Sequence, residues 1–273
     1  IDSDLIKVQK RFRYLNKILA KAQLSYFNKD DPIMSDSEYD RLLLEYKGLE
    51  EKYPNLKTSS SLSLKVGSKL SSKFAKIRHR TPMLSLSNIF NEKDLMEFDL
   101  RIKKFLNLDE VEELEYVVEP KIDGVSLSLL YENGKLIYAA TRGDGVEGED
   151  VTSNAFAISE VPSELSCTRT EKPKILEVRG EVYISKTDFL TLNKERNSNN
   201  SKLFANPRNA AAGGLRQIDP EITKKRPLRF FAYSLGYVSD KEFVSQEGFL
   251  DSLESFGFVV NRLSDKVTGI PNL

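Results

Sequence analysis

A lysine stands between two carboxylates in Glu119-Pro120-Lys121-Ile122-Asp123-Gly124, with apolar strand-like runs on either side, Tyr116 to Val118 and Val125 to Leu130. A lysine amine is a nucleophile only when neutral, and burial against apolar walls or near other cations moves it toward that form. The competing reading is an edge-strand lysine that pairs with Glu119 or Asp123 across a turn. These six residues alone leave the two readings balanced.

Four further clusters could carry chemistry. In Thr141-Arg142-Gly143-Asp144-Gly145-Val146-Glu147-Gly148-Glu149-Asp150 the glycines permit positive φ and close backbone approach, and Arg142 could hold a phosphate or ribose. A plain turn or a weak cation site is the alternative. In Glu177-Val178-Arg179-Gly180-Glu181-Val182, strand alternation puts Glu177, Arg179 and Glu181 on one face. Three charges on a central strand are costly unless they meet a ligand, a metal or each other, although a solvated salt-bridge ladder would also serve. Arg208 and Arg216 bracket the small-residue run of Asn206-Pro207-Arg208-Asn209-Ala210-Ala211-Ala212-Gly213-Gly214-Leu215-Arg216, suited to gripping anions or to an alanine-rich helix with incidental arginines. In Phe230-Phe231-Ala232-Tyr233 one aromatic could stack on a base, while core packing is the common use of such residues.

Elements must position these groups. Phe12, Leu15, Leu19, Ala22 and Tyr26 recur at helical spacing, and Asn28 to Pro32 breaks the pattern. Ser35 and Glu38 form a capping box for a second helix through Leu42, Leu43, Tyr46, Leu49 and Tyr53, which stops at Pro54. The two make a helical hairpin. From Thr58 to Ser72 the texture is that of a linker, and no acidic residue falls between Pro54 and Asn91. Lys57, Lys65, Lys69, Lys73, Lys76, Arg78 and Arg80 lie there, a solvated linker or a track for a phosphate backbone. A helix capped by Asn91 runs past Leu95, Phe98 and Ile102. Strands follow over 126–131 and 135–141 around an Asn133-Gly134 turn, then over 175–184; a helix over 186–193 precedes a strand over 228–237. Without a βαβ rhythm, the expected fold is α+β with a mainly antiparallel sheet.

The totals set bounds. With 41 Lys+Arg and 41 Asp+Glu in 273 residues the net charge is zero, so any basic surface is local. A single cysteine, Cys167, excludes an intrachain disulfide and a cysteine-built zinc site, and is read as inert. One histidine leaves little for Ser/His or Cys/His chemistry. No stretch reads as a membrane span and no signal-peptide pattern opens the chain, so a reducing intracellular compartment is expected.

In their order and setting these motifs resemble those of the bacterial NAD-dependent DNA ligases, over nearly the whole chain. Lys121-Ile122-Asp123-Gly124 is similar to the family's Lys-x-Asp-Gly motif, Glu177 to Glu181 to the next and Phe230 to Tyr233 to the one after. Pro82-Met83-Leu84-Ser85-Leu86, Thr141 to Gly145 and Asn206 to Gly213 also match. Tyr26, Asp36, Tyr39 and Asp40 match the nicotinamide mononucleotide site.

The resemblance implies a nucleotidyltransferase (ATP-grasp-like) domain over 71–273, truncated at its C-terminus, after a helical nicotinamide-mononucleotide-binding domain over 1–70. It implies that Lys121 attacks the α-phosphorus of NAD, keeps AMP and expels nicotinamide mononucleotide, and that AMP then passes to the 5′-phosphate of nicked double-stranded DNA. Glu119 would accept from the adenine amino group, Tyr233 would stack on adenine, and Ser85 and Leu86 would line the pocket. Arg142 and Glu181 would hold the ribose, Asp123 would orient Lys121 or a hydrated Mg²⁺, and Arg208 and Arg216 would grip DNA phosphates. A monomer in the bacterial cytoplasm is implied, with the family's zinc site outside this sequence.

Departures narrow the expectation. Phe27 stands where many members carry His or Tyr, and Ser87 where Asp is frequent. The sequence stops before the family's Asp-Gly-Val/Ile-Val-x-Lys motif and the lysine motif after it, from which slow self-adenylation is expected. An ATP-dependent ligase or an RNA-capping nucleotidyltransferase shares the lysine motif but not the tyrosine/aspartate hairpin, and a fragment that only binds nucleotide or DNA is the non-catalytic alternative.

Overall fold

The computed structural model describes residues 2–28, 34, 36–56, 74–166 and 171–273. Two long helices form first, α1 (Asp2–Asn28) and α2 (Asp36–Lys52), followed by a 3₁₀ turn at Pro54–Leu56. Their helical-period apolar residues bury one seam of Phe12, Leu15, Leu19, Leu42 and Tyr46, as the sequence spacing predicts. Phe12 stacks on Tyr46 with centroids 4.6 Å apart, and Arg11 closes the outer edge on Glu45 through two 2.7 Å hydrogen bonds.

The rest is α+β. In chain order come β1 (Lys76–Arg78), α3 (Glu92–Leu106), β2 (Glu115–Val118), β3 (Val125–Glu132), β4 (Lys135–Thr141), β5 (Glu147–Glu149) and α4 (Thr152–Ala155). After these come β6 (Ile175–Tyr183), α5 (Lys186–Ser198), α6 (Pro207–Leu215), α7 (Pro220–Lys224), β7 (Arg229–Val238), α8 (Gln246–Ser255) and β8 (Asp265–Thr268). The central sheet has the order β4-β3-β6-β7 with every pairing antiparallel, and the pairs β1-β5 and β2-β8 are separate small sheets.

Alternation along the central strands divides the sheet into an apolar and a polar face. Leu127, Leu129, Tyr131, Val178, Val182, Phe230 and Ala232 join a core that also holds Ala210, Ala211 and Leu215 of α6 and Phe249, Leu253 and Phe256 at α8. The β3–β4 turn has φ of 49° at Asn133 and 82° at Gly134, the two positive angles a type I′ hairpin demands. Strand β7 is irregular. Ala232 pairs with Gly180 and Ser234 with Arg179, so Tyr233 is the extra residue of a bulge, a device that re-aims a side chain.

Helix α3 begins where expected: Asn91 Oδ1 accepts from the Asp94 amide at 2.9 Å. Asn91→Ala is expected to cost about 1 kcal/mol, read from the urea midpoint. Its inner face carries the half-buried Leu95, Phe98 and Ile102 of the expected stripe, and the fully buried side chains beside them are the charged Asp99 and Lys103. The charges are satisfied internally. Lys103 Nζ lies 2.8 Å from Asp99 Oδ2 and donates to the Glu110 carbonyl at 2.8 Å, and the Tyr116 hydroxyl donates to Asp99 at 2.6 Å. Burial raises the Asp99 pKa, but the hydrogen bonds from Lys103 and Tyr116 outweigh it and hold the carboxyl below its ordinary range.

Candidate active site

The lysine motif enters β3 across the end of β6. Gly124 meets Val182 there so closely that a Cβ would lie 2.1 Å from the Val182 carbonyl oxygen, which explains glycine at the motif's last position. Lys121 and Asp123 project from this junction and are exposed. Burial is therefore not what would make the Lys121 amine reactive, and its surroundings are charged.

Those surroundings are Glu181 and Arg208. Glu181 is buried, accepts from Ser126 Oγ at 2.9 Å and from the Gly124 amide, and feels the positive charges of Arg208 and Lys121. Desolvation dominates and pushes its carboxyl above the ordinary range, although the hydroxyl and both cations pull it down. Arg208 Nη1 lies 3.5 Å from Asp123 Oδ1. Arg208 stands at the N-terminal turn of α6, whose cap is Asn206 accepting from the Asn209 amide at 2.8 Å. Lys121, Asp123, Glu181 and Arg208 thus share one end of the polar face.

The raised Glu181 pKa has a consequence for stability. Between the ordinary carboxylate range and the raised folded value, the folded state holds more proton than the unfolded one. The stabilisation is present at low pH and lost as pH rises through the folded pKa. Glu181→Gln is expected to flatten that dependence and melt higher than the parent at neutral pH, in thermal unfolding followed across pH.

Next to this cluster lie Glu119 and Tyr233. Gln246 Nε2 donates to Glu119 Oε1 at 2.7 Å and to the Tyr233 carbonyl at 2.6 Å. The Tyr233 phenol is raised by burial and by the Glu181 charge, and hydrogen-bonds Ser126. Of the aromatics in its run, Phe230 is fully buried in the core, whereas Phe231 and Tyr233 are both half-buried, Phe231 stacking on Tyr183 with centroids 4.8 Å apart and Tyr233 facing the Glu181 cluster.

The loop after β1 closes another side. Arg142 Nη2 reaches Ser85 Oγ at 3.4 Å, whereas Leu86 is 78% exposed. This loop is latched to the polar face by β6. Arg179 donates to the Thr81 and Pro82 carbonyls at 2.6 and 3.1 Å, and Glu177 Oε1 takes Arg179 Nη2 at 3.3 Å and Ser128 Oγ at 2.8 Å. The three charges of β6 meet each other, the loop backbone and the lysine site. In the Gly143-Asp144-Gly145 turn, Asp144 Oδ1 accepts from the amides of Val146 and Glu147 at 2.9 and 2.8 Å, so this aspartate shapes the loop.

Not every expected residue joins the cluster. Arg216 lies in a bidentate pair with Glu149, Nε to Oε2 at 2.7 Å and Nη2 to Oε1 at 2.9 Å, and Glu149 is 3% exposed. Instead of standing out beside Arg208, this guanidinium ties α6 to β5. Tyr39 is half-buried and packs against the hairpin core. The side chains of Tyr26, Asp36 and Asp40, together with Phe27, lie outside the described residues, as do Cys167, Ser35 and the Lys57, Lys65, Lys69 and Lys73 part of the basic stripe. Within that stripe Lys76 and Arg78 are exposed on β1, and Arg80 sits over the Tyr237 ring at 5.4 Å.

Sequence reasoning misses Ser126, Gln246 and the latching role of Arg179. Ser126 and Ser128 alternate with Leu127 and Leu129, a pattern that marks a polar sheet face. Gln246 has no such signal, since its partner Glu119 is 127 positions away.

A lysine, its carboxylates and a bulge-directed tyrosine on the polar face of an antiparallel sheet define an adenylating nucleotidyltransferase domain. Residues 71–273 match the family described as NAD-dependent DNA ligase adenylation domain, and residues 6–67 match the DNA ligase-like, N-terminal NAD+-binding domain. The chain belongs to the NAD-dependent DNA ligase family. It is 48% identical over 95% of its length to a DNA ligase of Azorhizobium caulinodans, covering 35% of that protein. It is 47% identical over 96% of its length to one of Roseobacter denitrificans, covering 36%, and 45% identical over 98% to one of Geotalea daltonii, covering 40%. The chain thus spans between about a third and two fifths of the length of these curated relatives. Among the described residues no helix is long and apolar enough to cross a membrane.

Proposed function

We propose that this chain carries the NAD-consuming step of DNA nick sealing, with residues 71–273 as the adenylation domain and residues 1–70 as the nicotinamide mononucleotide clamp. Lys121 Nζ, having given up a proton, attacks the α-phosphorus of NAD. An N–P bond forms, the P–O bond to nicotinamide mononucleotide breaks, and AMP stays on the lysine as a phosphoramidate. AMP then moves to the 5′-phosphate of a nick in duplex DNA, and the 3′-hydroxyl displaces it.

The observation that carries this reading is the convergence of Lys121, Asp123, Glu181 and Arg208 at one end of a polar sheet face that also holds Glu119 and Tyr233. Glu119 accepts from the adenine amino group and Tyr233 stacks on the ring. Glu181 and Arg142 hold the ribose hydroxyls, a carboxylate suiting two donors. Ser85 and Leu86 border the nucleotide. Tyr26 and Tyr39 sandwich the nicotinamide, with Asp36 and Asp40 on its amide or ribose. Arg208 neutralises phosphate charge, at the nucleotide and then at the nick, and Arg216 holds α6, which carries Arg208.

Among the described residues no three His, Cys, Asp or Glu gather into a metal cage. Mg²⁺ keeps several waters and needs only one or two carboxylates beside phosphate oxygens, a demand that the exposed Asp123 fits. When bound, Mg²⁺ would neutralise charge on the reacting phosphate; Asp123 itself steers Lys121 and Arg208. Incubation with NAD or with ATP separates the readings. Release of nicotinamide mononucleotide with NAD, and no nucleotide transfer from ATP, is expected; transfer from ATP alone would make the chain an ATP-dependent nucleotidyltransferase.

A further inference from the structure

We infer that Gln246 is a positioning residue that sets the Glu119 carboxylate for base selection, an inference that rests on the proposed role of Glu119 toward adenine. Two acceptors, the Glu119 carboxylate and the Tyr233 carbonyl, meet the end of this one side chain at 2.7 and 2.6 Å. Only the amide nitrogen can serve both, so the orientation of the amide is unambiguous. Both of its N–H groups are consumed: the Tyr233 carbonyl anchors the amide, and the amide holds Glu119 Oε1.

The anchor is itself fixed. Gln246 is the first residue of α8, and Ser245 caps that helix by accepting from the Gly248 amide at 3.1 Å. The carbonyl it grips belongs to the bulged residue of β7, whose ring is the proposed base-stacking platform. One glutamine thus couples the residue that reads the purine edge to the residue that supports its face. A carboxylate without this strut must be immobilised on binding, at the expense of affinity for a donor at the purine 6-position. An oxygen at that position gains nothing from Glu119 and is insensitive to the strut.

The test compares equilibrium binding of NAD and nicotinamide hypoxanthine dinucleotide, which carries a carbonyl in place of the 6-amino group, to the full chain. The parent should favour NAD by at least about tenfold, the scale of one hydrogen bond to a charged group. Gln246→Leu should weaken NAD by about tenfold while the hypoxanthine analogue stays within about twofold, which also reports an intact fold. Gln246→Lys, which restores N–H donors at similar reach, should recover most of the preference. An undiminished NAD preference in Gln246→Leu overturns the role of Gln246 and leaves that of Glu119 standing. Equal binding of both dinucleotides by the parent overturns the Glu119 reading and this inference with it. Should Gln246→Leu not fold, a preference in Gln246→Lys equal to the parent's supports the donor role, and its loss contradicts it.

Discussion

Lys121→Ala and Lys121→Arg are each expected to lower AMP transfer from NAD by at least about 10⁴-fold, the scale on which enzymes lose a covalent nucleophile. Lysine 121 is exposed and outside both hydrophobic cores, so neither change should lower the melting temperature appreciably. The arginine variant is the more telling. It keeps a positive charge beside Glu181 and Asp123, so NAD affinity should change only a few-fold, yet a guanidinium cannot act as the nucleophile. Single-turnover release of nicotinamide mononucleotide, with binding measured separately, divides the two contributions. Comparable losses in affinity and rate for both variants would reduce Lys121 to an electrostatic contact.

Arg216→Ala should be the most damaging of the stability changes, at roughly 3–5 kcal/mol, because it strands the buried Glu149 carboxylate without its bidentate partner. The Glu149 amide also donates to the Thr141 hydroxyl oxygen at 3.0 Å, so the pair links β5, the end of β4 and the C-terminus of α6. Replacing both members by methionine should recover much of the loss, since two apolar side chains leave no charge to solvate. Urea midpoints of the two single variants and the double variant measure the coupling. A loss below about 1 kcal/mol in Arg216→Ala would mean a solvent-screened pair, and would return this arginine to the role of a surface ligand for DNA phosphate.

The sequence was legible wherever structure is decided locally. Asn133-Gly134 carries its own turn geometry, Asn91 its own cap, and the alternation of Glu177, Arg179 and Glu181 with Val178, Gly180 and Val182 identifies the two faces of β6. The candidate site was legible for a related reason, since Lys121 and Asp123 occupy one short motif next to a glycine whose close contact with β6 admits no side chain. What stayed hidden depends on distant partners. Arg216 is 67 positions from Glu149 and Gln246 is 127 from Glu119, and nothing near either residue in sequence names its partner. Alternation alone also cannot locate the bulge at Tyr233, which arises from one extra residue against β6. At α3 the spacing of Leu95, Phe98 and Ile102 marks the half-buried face, but it does not foretell that Asp99 and Lys103 are buried beside them, where each neutralises the other and Tyr116 completes the set.

The central claim is that Lys121 receives AMP from NAD. Prolonged incubation of the chain with NAD and Mg²⁺, followed by intact-mass measurement and peptide mapping, tests it directly. The predicted result is the addition of one AMP per chain, on Lys121, through a bond that acid cleaves and neutral hydroxylamine leaves intact, as a phosphoramidate requires. AMP mapped to another residue, or an adduct formed equally by Lys121→Arg, would contradict the account.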